Sequence, residues 1–324
     1  MSPLSPQTCR LAPETLSALR GKWGDRLVCD APLSGFTRLA IGGPARLLFV
    51  AESESDLLDI YRDILAHKLP YFLLGEGSNV LVADEGLEGI VIVNRYAFPP
   101  RIEGTIVTAA GGANWHELVV TCTRAGLLGL EFGAGIPGTV GGAVYGNAGA
   151  FGQAIGDRTL SVRLVNRAGQ IEERPRQAMG FAYRASGLKA TGEIVLAATL
   201  QLQRGDAAAG LAALEETLRL RAEKHPPPQV RTAGSYFKNV LPVSSAPRRQ
   251  AAGYFLEQVG GKQLAVGDAA MYEKHANILV NRGRATARDV LALTGELSRR
   301  VRDRFGIDLE AEVIYLCQER MHHP

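Results

Sequence analysis

The chain has 324 residues, 46% of them apolar, with 36 basic against 33 acidic side chains and a formal net charge of +3. That is enough chain for two or three domains with their own cores, and too weak a charge bias to point to a nucleic-acid surface. Aromatic residues at 6% argue against a stacking platform for single strands, and 37 scattered glycines lack the period of collagen.

The start, MSPLSPQTCRLAPETL, has no basic segment running into an apolar stretch, and no window has the length of a membrane span. A soluble cytoplasmic protein is expected. The first segment runs roughly from Leu16 to Arg95. PARLLFVAES reads as a strand and ESDLLDIYRDILAHKL as a helix with apolar residues at helical spacing. YFLLGEGSNVLV and GLEGIVIVN continue the strand rhythm. The turn Gly75–Asn79 comes directly after the apolar strand Tyr71–Leu74. Its backbone donors could form a nest for phosphate, and a plain turn is the alternative.

The second segment spans about Tyr96 to Arg204. GTIVTAAGGA reads as a strand and NWHELVVTCTRAGL as a helix ended by Gly126. Then comes Glu131 to Gly152, EFGAGIPGTVGGAVYGNAGAFG, with eight glycines and almost no charge. Glycine costs conformational entropy and adds no packing, so this is not an ordinary helix or strand throughout. What it offers is close approach of backbone N–H groups to something bulky and anionic, and a dinucleotide fits. TLSVRLVNRAGQIEE is a hairpin candidate around Arg167–Gly169, and EIVLAATLQL is a strong strand. The segment is mixed α+β.

RGDAAAG separates this from the rest. Leu211–Lys224 reads as a helix, stopped by Pro226–Pro228. The runs RLRAEKH and RRVRDR hold acids as well as bases and read mainly as solvated faces. The last helix, Thr286–Phe305, opens with Thr286 and Asp289 at capping-box spacing. Val290, Leu293, Leu297, Val301 and Phe305 mark its buried stripe. A closing strand, IDLEAEVIYL, puts Glu310 and Glu312 on one face if it is regular. The tail CQERMHHP has no assigned role.

Three polar groups could carry chemistry. In RTAGSYFKN, Ser235 follows a glycine and precedes two aromatics, with Lys238 and Asn239 beyond. Donors beside an aromatic wall suit an anionic, partly apolar ligand; a simple turn bond is the plainer reading of the serine. In YRASGLK, Arg184 reads locally as a surface residue. Glu312, between Ala311 and Val313, is sheltered by its neighbours. A raised pKa there would favour proton transfer or stabilisation of developing charge; an edge-strand carboxylate that blocks aggregation is the alternative. The six histidines form no HxH or HExxH, and Cys9, Cys29, Cys122 and Cys317 form no CxxC pair. Neither a metal nor a disulfide framework is expected. GxSxG is absent, and the one GxGxxG string, Gly133–Gly138, does not stand between a strand and a helix of a βαβ unit, so a tightly bound dinucleotide would not sit on a Rossmann domain.

Seven motifs in order, TRLAIGGPA, LGEGSNVLV, GLEFGAGIPGTVGGAVYGNAGAFG, FAYRASGLK, RTAGSYFKN, EKHANILVN and LEAEV, resemble the bacterial UDP-N-acetylenolpyruvoylglucosamine reductase (MurB) family from about Thr37 to Leu316. The resemblance implies an α+β fold: a two-part FAD-binding unit of the vanillyl-alcohol-oxidase/PCMH type, then a C-terminal α+β substrate-binding domain. The expected division is 1–95, 96–210 and 211–324, with the final strand bringing Glu312 to the active site. It implies non-covalent FAD, with NADPH as hydride donor and a UDP-linked enolpyruvyl amino sugar as substrate. Gly75, Glu76, Gly77, Ser78, Asn79 and Val80 would wrap the FAD pyrophosphate. Gly135, Ile136, Pro137, Gly138, Gly141 and Gly142, with Asn147, Ala148 and Gly149, would line the rest, and Ile41, Gly42 and Gly43 a further wall.

In the family's reaction NADPH reduces FAD, and flavin N5 then delivers hydride to the enolpyruvyl β-carbon. The residues matching the family's catalytic groups are Ser235 as proton donor to the α-carbon, Arg184 as the group steadying the enolate, and Glu312 as its acidic partner. Tyr183, Lys238 and Asn239 would contact substrate beside Arg184 and Glu312. The chain resembles the shorter class, with no extra tyrosine-bearing loop between Tyr183 and Leu200. It departs from the usual pattern at Val240, at Met271–Tyr272 and at Gly146, sites expected to touch packing or the pocket rim. No nucleic acid or membrane insertion is implied, protein partners stay open, and a monomer is expected. Two rivals stay open: an FAD-dependent oxidase or dehydrogenase of the same superfamily acting on another small molecule, and a noncatalytic nucleotide-binding module.

Overall fold

The structure, a computed structural model, describes residues 11–241 and 249–323. Helix α1 (Pro13–Trp23) begins on a proline, whose missing N–H would be unpaired in a first turn anyway. There follow β1 (Leu27–Pro32), β2 (Pro44–Ala51), α2 (Glu54–His67), β3 (Tyr71–Leu74), β4 (Val80–Val82) and β5 (Leu87–Asn94). The first sheet runs β1-β2-β5-β3, with β5 parallel to both β2 and β3. β5 is buried almost throughout, as parallel strands covered on both faces should be. Ser53 and Asp56 form a capping box that starts α2, and Leu57, Ile60, Tyr61 and Ile64 turn its apolar side into this unit's core.

β3 is an edge of that sheet, and the C-terminal tail closes it. Tyr71 and His322 exchange backbone hydrogen bonds, and Gln318 bonds both backbone groups of Glu88. Met321 is buried in the same unit. The tail, without a role in the sequence reading, thus covers an otherwise unpaired strand edge.

The second unit contains β6 (Arg101–Glu103), β7 (Ile106–Ala110), α3 (Trp115–Arg124), β8 (Leu127–Leu128), α4 (Val140–Gly146), β9 (Gly149–Ala150), β10 (Gln153–Ala154), β11 (Thr159–Val165), β12 (Ile171–Pro175), α5 (Leu188–Thr191), β13 (Ile194–Gln201), β14 (Gln203–Arg204) and α6 (Ala207–Lys224). Its antiparallel sheet runs β12-β11-β13-β7-β6, and β11–β12 is the expected hairpin, closed at Val165 and Ile171. The glycine-rich stretch includes one short helix, α4, capped by Thr139 and ended by Asn147 in the left-handed region.

Helix α6 starts at Ala207, four residues earlier than the pattern suggested, because Asp206 accepts a hydrogen bond from the backbone N–H of Ala208. RGDAAAG is therefore no linker. Leu214 and Leu218 join the second unit's core with Trp115 and Leu118. A boundary at 210 would cut a helix that packs backward, and we propose that the second unit extends to about His225.

The third unit has β15 (Arg231–Ser235), α7 (Ala252–Gln258), β16 (Ala265–Val266), β17 (Ala269–Tyr272), β18 (His275–Asn281), α8 (Ala287–Phe305) and β19 (Ile314–Leu316), with an antiparallel sheet β15-β18-β17-β16. α8 has the expected capping box, and its stripe is buried except at Phe305, which is half-buried. The first unit holds the third in place. Asp84 accepts from the N–H groups of Ala287 and Arg288, and Asn281 donates to the Leu39 carbonyl.

The closing segment differs from the expected regular strand. Only Ile314–Leu316 is extended in register, parallel to β4. Upstream, the chain bends while bonding to the segment after β15: Lys238 N–H donates to the Glu310 carbonyl, and Glu312 N–H to that of Tyr236. Glu310 and Glu312 consequently part: the side chain of Glu310 is 72% exposed and that of Glu312 only 17%. Among the described residues Cys29, Cys122 and Cys317 are free thiols, and no helix is long and apolar enough to cross a membrane. Cys9 lies outside the described residues.

Candidate active site

Two loops from different units meet at one place. Glu76 accepts a hydrogen bond from Asn114 Nδ2 at 2.6 Å, and Ser78 Oγ donates to the Pro137 carbonyl at 3.0 Å. A Cβ at Gly75 would lie 2.6 Å from Thr139 Oγ1. Gly77 has φ +62°, and a Cβ there would stand 2.1 Å from the Phe36 carbonyl, so only glycine fits. Among the described residues the backbone N–H groups of Glu76, Gly77, Ser78 and Asn79 find no acceptor. Four successive free donors make a concavity for an anion.

The glycines of this region divide into two kinds. Gly43, Gly141 and Gly149 are crowded by backbone: a Cβ would meet Asp84 O at 2.2 Å, Gly111 O at 2.8 Å and Gln153 O at 2.2 Å. Gly138 and Gly142 would meet only the hydroxyls of Ser78 at 3.1 Å and Thr139 at 3.4 Å, and Gly146 nothing within 4 Å. The second kind faces open space, which is where a ligand can approach. The expected wall at Ile41–Gly43 is largely taken up by the protein itself. Ile41 is buried in the third unit's core, Gly42 accepts from Ser34 N–H, and Gly43 bonds Leu33 and Ala83. Val80 is also a core residue, paired with Ile314. Ile136 and Ala148 pack partly against the second unit's core.

Asn147 connects this region to the next. Its Oδ1 accepts from Gly156 N–H, and its Nδ2 donates to the Ala182 carbonyl at 2.9 Å. Ala182 and Ala185 exchange backbone hydrogen bonds, folding the chain so tightly that Arg184 has φ +55°, a conformation non-glycine residues rarely adopt. The turn delivers the Arg184 guanidinium to Glu312, with Nε 3.1 Å from Oε1. The N–H is not aimed at that oxygen. Nε is thus buried beside a carboxylate yet has no hydrogen-bond partner among the described residues.

Burial pushes the Glu312 carboxyl above the usual glutamate range, against the opposing pull of Arg184, Lys189 and Lys238. Asn79 Nδ2 donates to the Glu312 carbonyl at 3.2 Å, tying the first glycine loop to this cluster. Lys238 bonds Glu310. Ser235 ends β15 opposite Ile278, directly before Tyr236, whose carbonyl holds Glu312 N–H at 2.7 Å. Its expected turn bond is not made: among the described residues nothing bonds Ser235 Oγ. Tyr183 OH accepts from Asn239 N–H at 3.3 Å, and Asn239 Oδ1 from Ala252 N–H, so this pair spans the second and third units.

Two residues of this region escaped the sequence reading. Lys189 donates to the Arg184 carbonyl at 2.8 Å. Arg221 donates to the Gly135 carbonyl at 3.2 Å, and burial with the nearby Arg184 charge lowers its pKa from the usual arginine range. The run RLRAEKH is therefore only partly a solvated face: Arg219 pairs with Glu216 and Glu223 in solvent, while Arg221 points inward. A signal was present, since Leu214, Leu218 and Arg221 lie on one helical stripe. No group of three or more His, Cys, Asp or Glu suited to a metal occurs among the described residues.

Cations, a sheltered carboxyl and a hydroxyl unbonded among the described residues thus lie on the segments that adjoin a cradle of backbone donors. Such an array can stabilise charge that develops on a bound acid and return a proton to it.

Two domain families match the chain: "FAD binding domain" over residues 45–173 and "UDP-N-acetylenolpyruvoylglucosamine reductase, C-terminal domain" over residues 226–316. The chain is 40% identical over 295 residues to the UDP-N-acetylenolpyruvoylglucosamine reductase of Heliobacterium modesticaldum, covering 91% of this chain and 90% of that one. With the Bacillus subtilis protein of the same name it shares 34% over 302 residues, 93% and 97% of the two chains. The crystal structure of UDP-N-acetylenolpyruvylglucosamine reductase from Thermus caldophilus superposes with a TM-score of 0.74 at 33% identity, covering 90% of this chain and 99% of that one.

Proposed function

The chain belongs to the UDP-N-acetylenolpyruvoylglucosamine reductase family of FAD-dependent reductases, and on that premise we propose that it uses NADPH to reduce UDP-N-acetyl-3-O-(1-carboxyvinyl)glucosamine to UDP-N-acetylmuramate, a step in peptidoglycan precursor synthesis. The observation that carries this reading is Arg184 Nε, buried beside Glu312 without a hydrogen-bond partner among the described residues, at the edge of the backbone-donor cradle. A cytoplasmic, monomeric enzyme is the form it implies.

The cradle fits FAD. The free N–H groups of Glu76–Asn79 suit a pyrophosphate, and a Cβ at Gly138 or Gly142 would project into the space left for it. FAD held there would supply the hydride, drawn from NADPH, that adds to the β-carbon of the enolpyruvyl group. Hydride addition leaves negative charge at the α-carbon, spread into the substrate carboxylate. Arg184 donates its unpartnered N–H to that carboxylate, a bond that strengthens as the charge grows. The Ser235 hydroxyl, unbonded among the described residues, gives its proton to the α-carbon. A serine is a weak acid, so this transfer depends on a strongly basic carbanion and on the cations around it. Glu312, its carboxyl pushed above the usual glutamate range by burial, stands beside Arg184 as the acidic partner of that guanidinium. Tyr183, Lys238 and Asn239 hold the sugar nucleotide across the gap between the units.

The test is the visible spectrum of the purified, FAD-loaded protein under anaerobic conditions, with NADPH added first and the UDP-linked enolpyruvyl ether second. The flavin band should bleach and then return. Bleaching without return moves the substrate to another small molecule, and a protein that takes up no FAD leaves a noncatalytic nucleotide-binding module.

A further inference from the structure

Lys189 sits on α5, at the centre of the charged cluster, with no acidic side chain bonded to it among the described residues. Its Nζ donates to the backbone carbonyl of Arg184 at 2.8 Å and lies 6.0 Å from the ring centroid of Tyr145. Tyr145 belongs to α4, the helix of the glycine-rich stretch, and its carbonyl accepts from Ser186 Oγ at 2.8 Å. One ammonium therefore joins three things: the strained Arg184 turn, the helix behind the cradle, and the field around Glu312.

The strain at Arg184 makes this joint consequential. A left-handed conformation at a non-glycine residue costs roughly 1–3 kcal/mol and persists only where its surroundings over-determine it. The Ala182–Ala185 bonds hold the turn on one side and the Lys189 bond holds its apex carbonyl on the other. Without that bond the guanidinium loses its fixed line of approach to Glu312. The charged groups acting on Lys189 are Lys238, Glu312, Glu310 and Arg184, and burial lowers its pKa foremost. Those acting on Glu312 are Arg184, Lys189 and Lys238.

We propose that Lys189 is a positioning residue for the second half-reaction: its ammonium fixes the Arg184 turn through the carbonyl and adds a positive charge to the cluster that includes Glu312. This rests on the reductase reading above. No proton moves through Lys189 and it need not touch the substrate.

The test compares Lys189→Met and Lys189→Arg with the wild-type holoenzyme. In Lys189→Met, flavin reduction by NADPH should stay within about twofold, while reoxidation by the enolpyruvyl ether falls about 10- to 100-fold, the size of effect a mispositioned catalytic group gives. The pH profile of reoxidation should move upward, because a nearby cation no longer favours the Glu312 carboxylate. The infrared band of the protonated carboxyl, identified by its loss in Glu312→Gln, should titrate at higher pH in Lys189→Met without any turnover. Lys189→Arg should recover most of the rate. Wild-type protein that bleaches but never recovers would overturn the reductase reading and this proposal with it. A wild type that cycles, beside a Lys189→Met protein with unchanged rate and titration, overturns the Lys189 role alone. Equal loss in both half-reactions with normal FAD content also overturns it, since that is a general structural defect.

Discussion

The glycine cradle and the charged cluster touch through Asn79 and Asn147, yet they are built in opposite ways. The cradle is backbone chemistry: its donors are main-chain N–H groups, and its side chains are kept small so that something can come close. Such a site must be written as a run of neighbouring residues, because consecutive N–H groups can converge only within one loop. The cluster is side-chain chemistry. Arg184 and Lys189 come from the second unit, and Ser235, Lys238 and Glu312 from the third, each in a short stretch that by itself suggests a surface or a turn. Its properties arise from desolvation and pairing that no single stretch contains.

Removing the hydroxyl is the hardest blow to the cluster. Ser235→Ala should lower reoxidation of reduced flavin by the enolpyruvyl substrate about 10²–10⁴-fold, the usual worth of general acid catalysis, and leave flavin reduction by NADPH nearly unchanged. Stopped-flow absorbance separates the two, and equal loss in both would falsify the role. Glu312→Gln should cost the same half-reaction about 10²-fold or less; an unchanged rate removes Glu312 from the mechanism. The same variant has a stability signature. Because the Glu312 pKa is raised, the folded state holds its proton longer than the unfolded chain. That contribution is full below the ordinary glutamate value and is lost as pH rises through the raised one. Glu312→Gln should flatten that part of a plot of melting temperature against pH.

The cradle offers a contrast between its own glycines. Gly43→Ala places a Cβ against Asp84 O at 2.2 Å and should lower the melting temperature. Gly142→Ala meets only Thr139 Oγ1 at 3.4 Å, so the apoprotein should melt as before while FAD affinity drops about tenfold, one poorly accommodated group's worth. If apoprotein stability falls alike in both, the two kinds of glycine are not distinct.

Smaller effects lie at the junctions. His225 and His275 face each other with ring centroids 6.2 Å apart, and burial, with Arg221 and His275 nearby, brings the His225 pKa down to about 4. A histidine kept neutral in this way contributes stability that is full above its ordinary value of 6.5 and is lost as pH falls toward 4. His225→Gln should make melting less pH-dependent across that window, and an unaltered curve would show the pair to be solvated. Asp84→Ala removes two hydrogen bonds at the start of α8 and should cost about 1 kcal/mol in urea unfolding, as loss of a helix cap does.

Much of the fold was legible in the sequence. The α2 and α8 capping boxes, the β11–β12 hairpin and the alternation of strands and helices in the first unit follow from local spacing. The errors sit where a distant contact outweighs local pattern. α6 begins early and packs backward because its apolar side completes the second unit. The segment before β19 bends because Tyr236 and Lys238 claim its backbone. The tail had no role in the sequence reading because the edge it covers lies far back in the chain.

For the site, ordered motifs alone identified the family and singled out the glycine loops and Arg184, Ser235 and Glu312 as candidates, since loops that need glycine and short polar signatures are contiguous in sequence. Tertiary structure alone decided that Glu310 and Glu312 part, with Glu310 turned to solvent, that Arg221 points inward, and that Lys189 grips the Arg184 turn. The physical reason is that burial and charge pairing depend on which segments meet in space, and a linear pattern records only what each segment could offer.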